Sequence, residues 1–237
     1  MKSYQLIYFV VLAVIMSSCL LGEECESGKG ALVTTELDLD PIESISFGIA
    51  GNLIVKEGAQ QQVEVTAQQN MIDILRTDVQ GGIWNIGFTK CNDLFEAFTI
   101  TVTLPTVKVL ALAGAGQVTM EDTMTTDSFD ALLTGSGIME IKVEADDVNL
   151  EITGSGTLNA QGSAETQDVI LAGSGTIDSY NLPAKTARIT VSGSGDVFVD
   201  ISEQLDVIIT GSGNVTYRSD PVVNADIIGT GEVFKAN

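Results

Sequence analysis

The sequence predicts an all-β chain wound as a parallel β-helix (a solenoid) of about seven Gly-Ser-Gly rungs, begun by an irregular β-rich cap. Three observations predict it. The phrase Gly-Ser-Gly, or a close variant, recurs seven times. It stands at Gly114-Ala115-Gly116, Gly135-Ser136-Gly137, Gly154-Ser155-Gly156, Gly173-Ser174-Gly175, Gly193-Ser194-Gly195, Gly211-Ser212-Gly213 and Gly229-Thr230-Gly231. First glycines follow one another at intervals of 21, 19, 19, 20, 18 and 18 residues, the near-constant period of stacked repeats. Between the phrases, apolar residues take every second position, as in a strand with one buried face. Asn-Gly and Asp-Gly hairpin turns are absent between the copies, which disfavours the competing antiparallel sandwich.

Within one copy, Val148, Leu150 and Ile152 precede the phrase on one parity and Leu158 and Ala160 follow it on the same parity. In the fifth copy Ile189, Val191, Val197, Val199 and Ile201 share a face, while Phe198 breaks the rule. Both glycines of each phrase fall on the inward parity, within extended chain or at a gentle corner. A glycine there lets the wall bend or another backbone come close. Seven rungs at roughly 4.8 Å each make a rod about 30 Å long.

From the N-terminus, Lys2 precedes an apolar run, Leu6 to Met16, followed by Ser17, Ser18 and Cys19. The run is too short to span a bilayer but fits the centre of a secretory signal. Met16-Ser17-Ser18-Cys19 resembles a bacterial lipobox with methionine where leucine is usual. That implies a signal peptide over 1–18, cleavage before Cys19 and a lipid on its sulfur, hence a membrane anchor. Residues 19–30 form a polar tether. Its Glu23, Glu24 and Glu26 resemble the acidic export tag of Bacteroidetes surface lipoproteins.

With Cys19 acylated, Cys25 and Cys91 remain, and two thiols in an oxidising compartment suggest a disulfide. It would close a loop of about 66 residues, stabilising by on the order of 4 kcal/mol in the chain-entropy model. Residues 31–110 carry strand-like runs at Leu32–Leu39, Ser44–Ile49, Asn52–Lys56, Gln62–Ala67, Ile83–Thr89 and Phe98–Leu104. A helical turn or two starts near Asn70 as N-cap, and Gln80-Gly81-Gly82 reads as a tight turn. A solenoid needs its first rung covered, so this segment reads as the less regular start of the rod and its cap. Residues 111–237 form the regular repeats.

Eleven basic against thirty-two acidic residues give a formal charge of −21, and histidine is absent. A field of that sign repels nucleic acid and anionic membrane surfaces. Lack of histidine excludes Ser-His-Asp and Cys-His chemistry and removes the commonest transition-metal ligand.

The order of features is specific. A lipobox and a cysteine-bearing tether precede Val65-Thr66-Ala67-Gln68-Gln69-Asn70-Met71-Ile72-Asp73-Ile74-Leu75, then Gly81-Gly82-Ile83-Trp84-Asn85-Ile86, Leu104-Pro105 and the Gly-Ser-Gly rungs. This resembles the Bacteroidetes family called putative auto-transporter adhesin, head GIN domain, over about Glu36 to Phe234. The resemblance implies a right-handed β-helical fold and an adhesin-like role, and it implies no catalytic residues.

Four candidate sites follow. Outward hydroxyls flank each central residue, namely Thr153, Ser155, Thr157, Ser174, Thr176, Ser194, Thr210 and Ser212, and would form a flat polar strip. That strip either binds a glycan or extracellular protein or is simply solvated packing. Gly193-Ser194-Gly195-Asp196 resembles the calcium repeats of secreted β-rolls, which need a nine-residue period with aspartate in every turn. The equivalent positions here are Gln117, Ile138, Thr157, Thr176, Asp196, Asn214 and Glu232, so no metal and no cofactor is expected. Asp178, Asp196 and Asp200 project outward on adjacent rungs, with Asp178 and Asp196 diagonal neighbours as in an inverting glycosidase pair. The strip shows no aromatic platform and no cluster of basic residues for an acidic sugar. Finally, Ile208, Ile228 and Phe234 or the far end of the rod would serve a homo-oligomer. The sequence thus points to a lipid-anchored envelope protein, at the outer membrane's periplasmic face or the cell surface. It reads as a non-catalytic binding or structural module, with a carbohydrate-active enzyme using the outward carboxylates as the alternative.

Overall fold

The computed structural model describes residues 25–93 and 97–236; the expected signal segment and Cys19 lie outside them. Its chain order begins β1 (Leu32–Leu37), β2 (Ser44–Phe47), β3 (Asn52–Glu57), β4 (Gln62–Gln68), α1 (Gln69–Ile72), β5 (Val79–Gln80), β6 (Ile83–Ile86) and β7 (Thr99–Leu104). The regular part follows with β8 (Val109–Gly114), β9 (Gln117–Met120), β10 (Met124–Gly135), β11 (Ile138–Gly154), β12 (Thr157–Gly173) and β13 (Thr176–Gly193). It ends with β14 (Asp196–Gly211), β15 (Asn214–Arg218), β16 (Val222–Gly229) and β17 (Val233–Lys235). The architecture is a parallel β-solenoid of about seven turns.

Each long strand is one whole coil, running from one Gly-Ser-Gly to the next. β10 to β14 pair in parallel with their successors, and the first glycines stack in register as Gly114, Gly135, Gly154, Gly173, Gly193, Gly211 and Gly229. The phrase itself is a corner. Strands stop at the first glycine and restart after the second. First glycines carry φ from 111° to 140°, a region that side chains resist. They are half-buried or exposed, and only the second glycine is fully buried. The expectation that both face inward therefore holds for the second alone, because the first turns the chain.

Both glycines are also required by the coil beneath. A Cβ at Gly154 would lie 2.4 Å from the Gly135 carbonyl oxygen, and one at Gly175 would lie 2.6 Å from that of Gly156. That closeness lets corner amides bond across coils: Ser155 N–H donates to Gly135 O at 2.8 Å and Ser174 N–H to Gly154 O at 2.9 Å.

The core is a set of columns. Leu112, Leu133, Ile152, Leu171, Val191 and Ile209 stack before the corner, and Val118, Met139, Leu158, Ile177, Val197 and Val215 after it, all almost fully buried. Burying each such side chain stabilises by about 1.5–3 kcal/mol. The period-2 pattern thus closes an apolar interior on every coil.

The exception is polar. Gln167 takes an inward position and is 2% exposed, and Ser179 is 0% exposed. Gln167 Nε2 donates to Leu182 O. The Ser179 hydroxyl lies 3.0 Å from Gln167 Oε1 and 3.1 Å from Phe198 O. These bonds hold a bulge where pairing between β13 and β14 slips after Ser179 and resumes at Ala184. Gly162 makes space nearby, since a Cβ there would meet Val143 O at 1.8 Å.

The N-terminal part stacks out of chain order. β2 pairs in parallel with both β6 and β8, and β3 with both β7 and β9. The β2–β3 coil therefore lies between the later β6–β7 coil and the β8–β9 coil. Beyond β7, β4 and then β1 run antiparallel, and β5 forms a hairpin with β6 through Gly81 and Gly82 at φ 60° and 78°. Trp84 is fully buried and donates Nε1–H to Arg76 O at 2.9 Å.

The tether is fastened to this end. Cys25 and Cys91 form the expected disulfide, and Glu26 N–H donates to Cys91 O at 2.9 Å. Asn70 is not the helix N-cap: Gln68 holds that position without a side-chain cap bond. Asn70 instead donates to Ser27 O at 2.8 Å and accepts from Lys29 N–H at 2.9 Å. An amide carries both a donor and an acceptor, so one side chain satisfies two tether groups.

Candidate functional site

The predicted hydroxyl strip separates into three columns around the corner. Thr153 and Thr210 stand before it, in line with Thr134, Ala172 and Ser192. Ser155, Ser174, Ser194 and Ser212 are exposed at its tip. Thr157 and Thr176 follow it, in line with Asp196 and Asn214. The serines are brought together, but the flanking threonines fall on opposite sides of a bend rather than on one flat face. Bonds run up the columns: Thr230 Oγ1 donates to Ser212 Oγ at 3.0 Å and Asn214 Nδ2 to Asp196 Oδ1 at 2.9 Å.

The three carboxylates keep the expected relation. Asp178 lies opposite Phe198 and Asp196 opposite Thr176, so the two are diagonal neighbours. Each is occupied locally. Asp178 Oδ1 accepts from Tyr180 N–H at 3.0 Å, and Asp200 Oδ1 accepts from Ser219 Oγ at 2.6 Å. Among the described residues no three His, Cys, Asp or Glu side chains gather as a metal-binding group.

A third grouping corrects the expectation that this surface lacks aromatics. Tyr180 sits in the bulge held by Gln167, and Phe198 points outward from the neighbouring coil. Their ring centroids are 5.4 Å apart at 60°, and the Arg218 guanidinium lies 3.8 Å from the Tyr180 centroid. Both rings are half-exposed. Burial pushes the Tyr180 phenol up; Asp178 and Asp200 add to this, while Arg218 and a bond with Thr216 oppose it. The phenol therefore stays a neutral O–H donor. Two signals could have revealed this cluster: Phe198 violates the alternation, and the interval from Gly173 to Gly193 is one residue longer than the two before it.

Two open grooves include carboxylates that neighbour Tyr180, although neither ring lines them. One, about 320 Å³, is lined by Glu140, Lys142, Asn159 and Gln161 and ends on Asp178 and Asn181. The other, about 240 Å³, is lined by Pro183, Lys185, Asp200, Ser202 and Ser219. A larger hollow of about 570 Å³ beside β1 and β4 is spanned by Gln61, which bonds Leu39 O, Asp40 O and Ile42 N–H.

On the arm before the corner, Asp130, Asn149, Asp168, Arg188, Asp206 and Asn224 stack in register. Each carboxylate is separated from the next by an amide or a guanidinium. Burial raises the Asp130 carboxyl against the bond from Asn149 at 2.6 Å. It also raises Asp168 against the nearby Arg188. Bonds from Asn224 and Gln204 lower Asp206.

The apolar outward residues divide likewise. Ile208 and Ile228 lie on the strands before the corner and Phe234 beyond it, with exposures of 36%, 65% and 46%.

The sequence profile of the family described as "Putative auto-transporter adhesin, head GIN domain" matches residues 43–221. Solved structures share the fold. A putative adhesin from Bacteroides fragilis has 22% identity and a TM-score of 0.84, covering 89% of this chain and 100% of its own. A putative lipid binding protein from Parabacteroides distasonis has 21% identity and a TM-score of 0.77, covering 90% and 100%. A putative adhesin from the same organism has 22% identity and a TM-score of 0.75, covering 90% and 100%. No curated protein matches.

Proposed function

The chain belongs to the putative auto-transporter adhesin, head GIN domain family, and from that premise we propose that it is a non-catalytic, adhesin-like binding module of the cell envelope. In this reading a lipid on Cys19 anchors it in the outer membrane, and the solenoid presents its outer surface to a glycan or an extracellular protein. The observation that carries the reading is the registered stacking of the coils. It brings the equivalent outward positions of successive coils together at fixed spacing and so builds surface columns. Asp178, Asp196 and Asp200 are each engaged by a neighbouring side chain or amide, which favours a structural use of them over hydrolysis. A glycan and matrix-protein array probed with the whole chain tests binding: retention on at least one class is expected, and retention on none leaves a ligand-free scaffold. Metabolic labelling with a fatty acid tests the anchor, with incorporation expected in the wild type and absent in Cys19→Ser.

A further inference from the structure

Tyr180, Phe198 and Arg218 form a shelf, and the polar groups around it define what it would accept. Arg218 covers one face of Tyr180 at 3.8 Å, so the half-exposed Phe198 ring and the uncovered part of Tyr180, 5.4 Å away and inclined at 60°, make the apolar surface on which the C–H face of a hydroxylated ligand rests. At the rim stand groups suited to hydroxyls. Asp178 and Asp200 offer their remaining lone pairs as acceptors, the Tyr180 phenol and Arg218 offer donors, and Ser202 and Ser219, whose protons go to Ala184 O and Asp200, offer acceptors. Asp178 and Asp200 also line two polar grooves.

Competing occupants fit less well. Phe198 is paired on both edges, to Asp178 and to Thr216, so no free edge is present for strand addition by an extended peptide. Asp178 and Asp200 beside the rings, on a chain of formal charge −21, repel uronates, sulfated sugars and phosphates. An uncharged ligand rich in hydroxyls meets none of these objections. The bulge pinned by the buried Gln167 and Ser179 holds Tyr180 in place before any ligand arrives, which reduces the ordering cost of binding.

We propose that this shelf is a carbohydrate-binding platform for a neutral oligosaccharide, resting on Phe198 and the uncovered part of Tyr180 with its hydroxyls toward Asp178 and Asp200. The assignment rests on the binding-module reading above and names its ligand class.

The test is titration calorimetry of the whole chain with cellohexaose, maltohexaose, xylohexaose and chitohexaose, alongside an oligogalacturonate. Saturable binding of at least one neutral hexasaccharide is expected. Phe198→Ala and Tyr180→Ala should each weaken it about tenfold, while Glu64→Gln on the exposed face of β4 leaves it unchanged. Should a variant lose its circular-dichroism signature, saturation-transfer NMR on the wild type decides, by whether the Tyr180 and Phe198 ring protons contact the sugar. Binding that survives both variants, or transfer that bypasses both rings, overturns the platform. Failure of every neutral sugar alongside capture of a matrix protein or the oligogalacturonate also overturns it, yet leaves the binding module standing. Capture of nothing removes both.

Discussion

Ser179 and Gln167, 12 residues apart in the chain, meet at 3.0 Å inside a largely apolar interior. Their bond holds the bulge from which Tyr180 projects. An inward polar pair therefore determines an outward aromatic shelf one residue away.

Gln167→Leu strands the Leu182 carbonyl and removes one acceptor of the Ser179 hydroxyl. Leaving buried polar groups unsatisfied destabilises by about 1–3 kcal/mol each. Chemical denaturation at pH 7 should show that loss. A variant as stable as the wild type would mean that the bulge does not depend on this network.

Gly175→Ala places a methyl 2.6 Å from the Gly156 carbonyl oxygen and 3.0 Å from Ile152 Cγ2. Backbone cannot withdraw without breaking the corner bonds, so a loss of about 1–3 kcal/mol is expected. Ser174→Ala, at the exposed tip, should stay within about 0.5 kcal/mol. Comparing the two melting temperatures checks whether the corner depends on the glycine or on the hydroxyl.

Opening the Cys25–Cys91 bridge, whose sequence separation is 66, removes on the order of 4 kcal/mol in the chain-entropy model. Cys91→Ala should lower the melting temperature and expose residues 25–30 to proteases sooner. Asn70→Ala in the same background should hasten the cleavage further, since Asn70 also holds Ser27 and Lys29.

Acidity adds a fourth expectation. Burial raises the Asp130 carboxyl above its usual 3.8, so the folded state binds a proton more readily than the unfolded one. Asp130 therefore weakens the fold above its folded pKa, and that penalty fades as pH falls toward 3.8. Asp130→Asn should raise the melting temperature at pH 7, with the gain shrinking on acidification. A gain that is constant with pH would show that the carboxyl's charge is not the cause.

Much of this was legible because alternation is a strong local signal. Leu171, Val191 and Ile209 fall on the inward parity of three successive copies, and the copies are in register, so the columns follow from spacing alone. Assigning Cys19 to a lipid likewise left Cys25 with Cys91, the pair that is bonded. What escaped were departures from the period. Gln167 and Ser179 are interior positions filled by polar residues, and only coordinates reveal that each satisfies the other. Tyr180 and Phe198 are 18 residues apart and become diagonal neighbours through the register of Asp178 with Phe198 and Ser179 with Val199, at the edge of the bulge. Asn70 suits an N-cap by type, yet tertiary bonds to the tether outweigh that local preference. The hydroxyl strip looked flat because parity cannot show that the first glycine of each phrase turns the chain.

The interleaved order of the N-terminal coils makes the rod unequal at its two ends. Shortening it from residue 237 backward peels away whole layers, each removal leaving a shorter stack of the same kind. Deleting 44–57 instead withdraws a middle layer and leaves β6–β7 and β8–β9 with no shared neighbour. As the chain folds, residues 44–57 must therefore wait for 83–104 to arrive on one side and 109–120 on the other. The foundation is laid as a single knot of about eighty residues, and only afterwards can the regular courses be added one at a time.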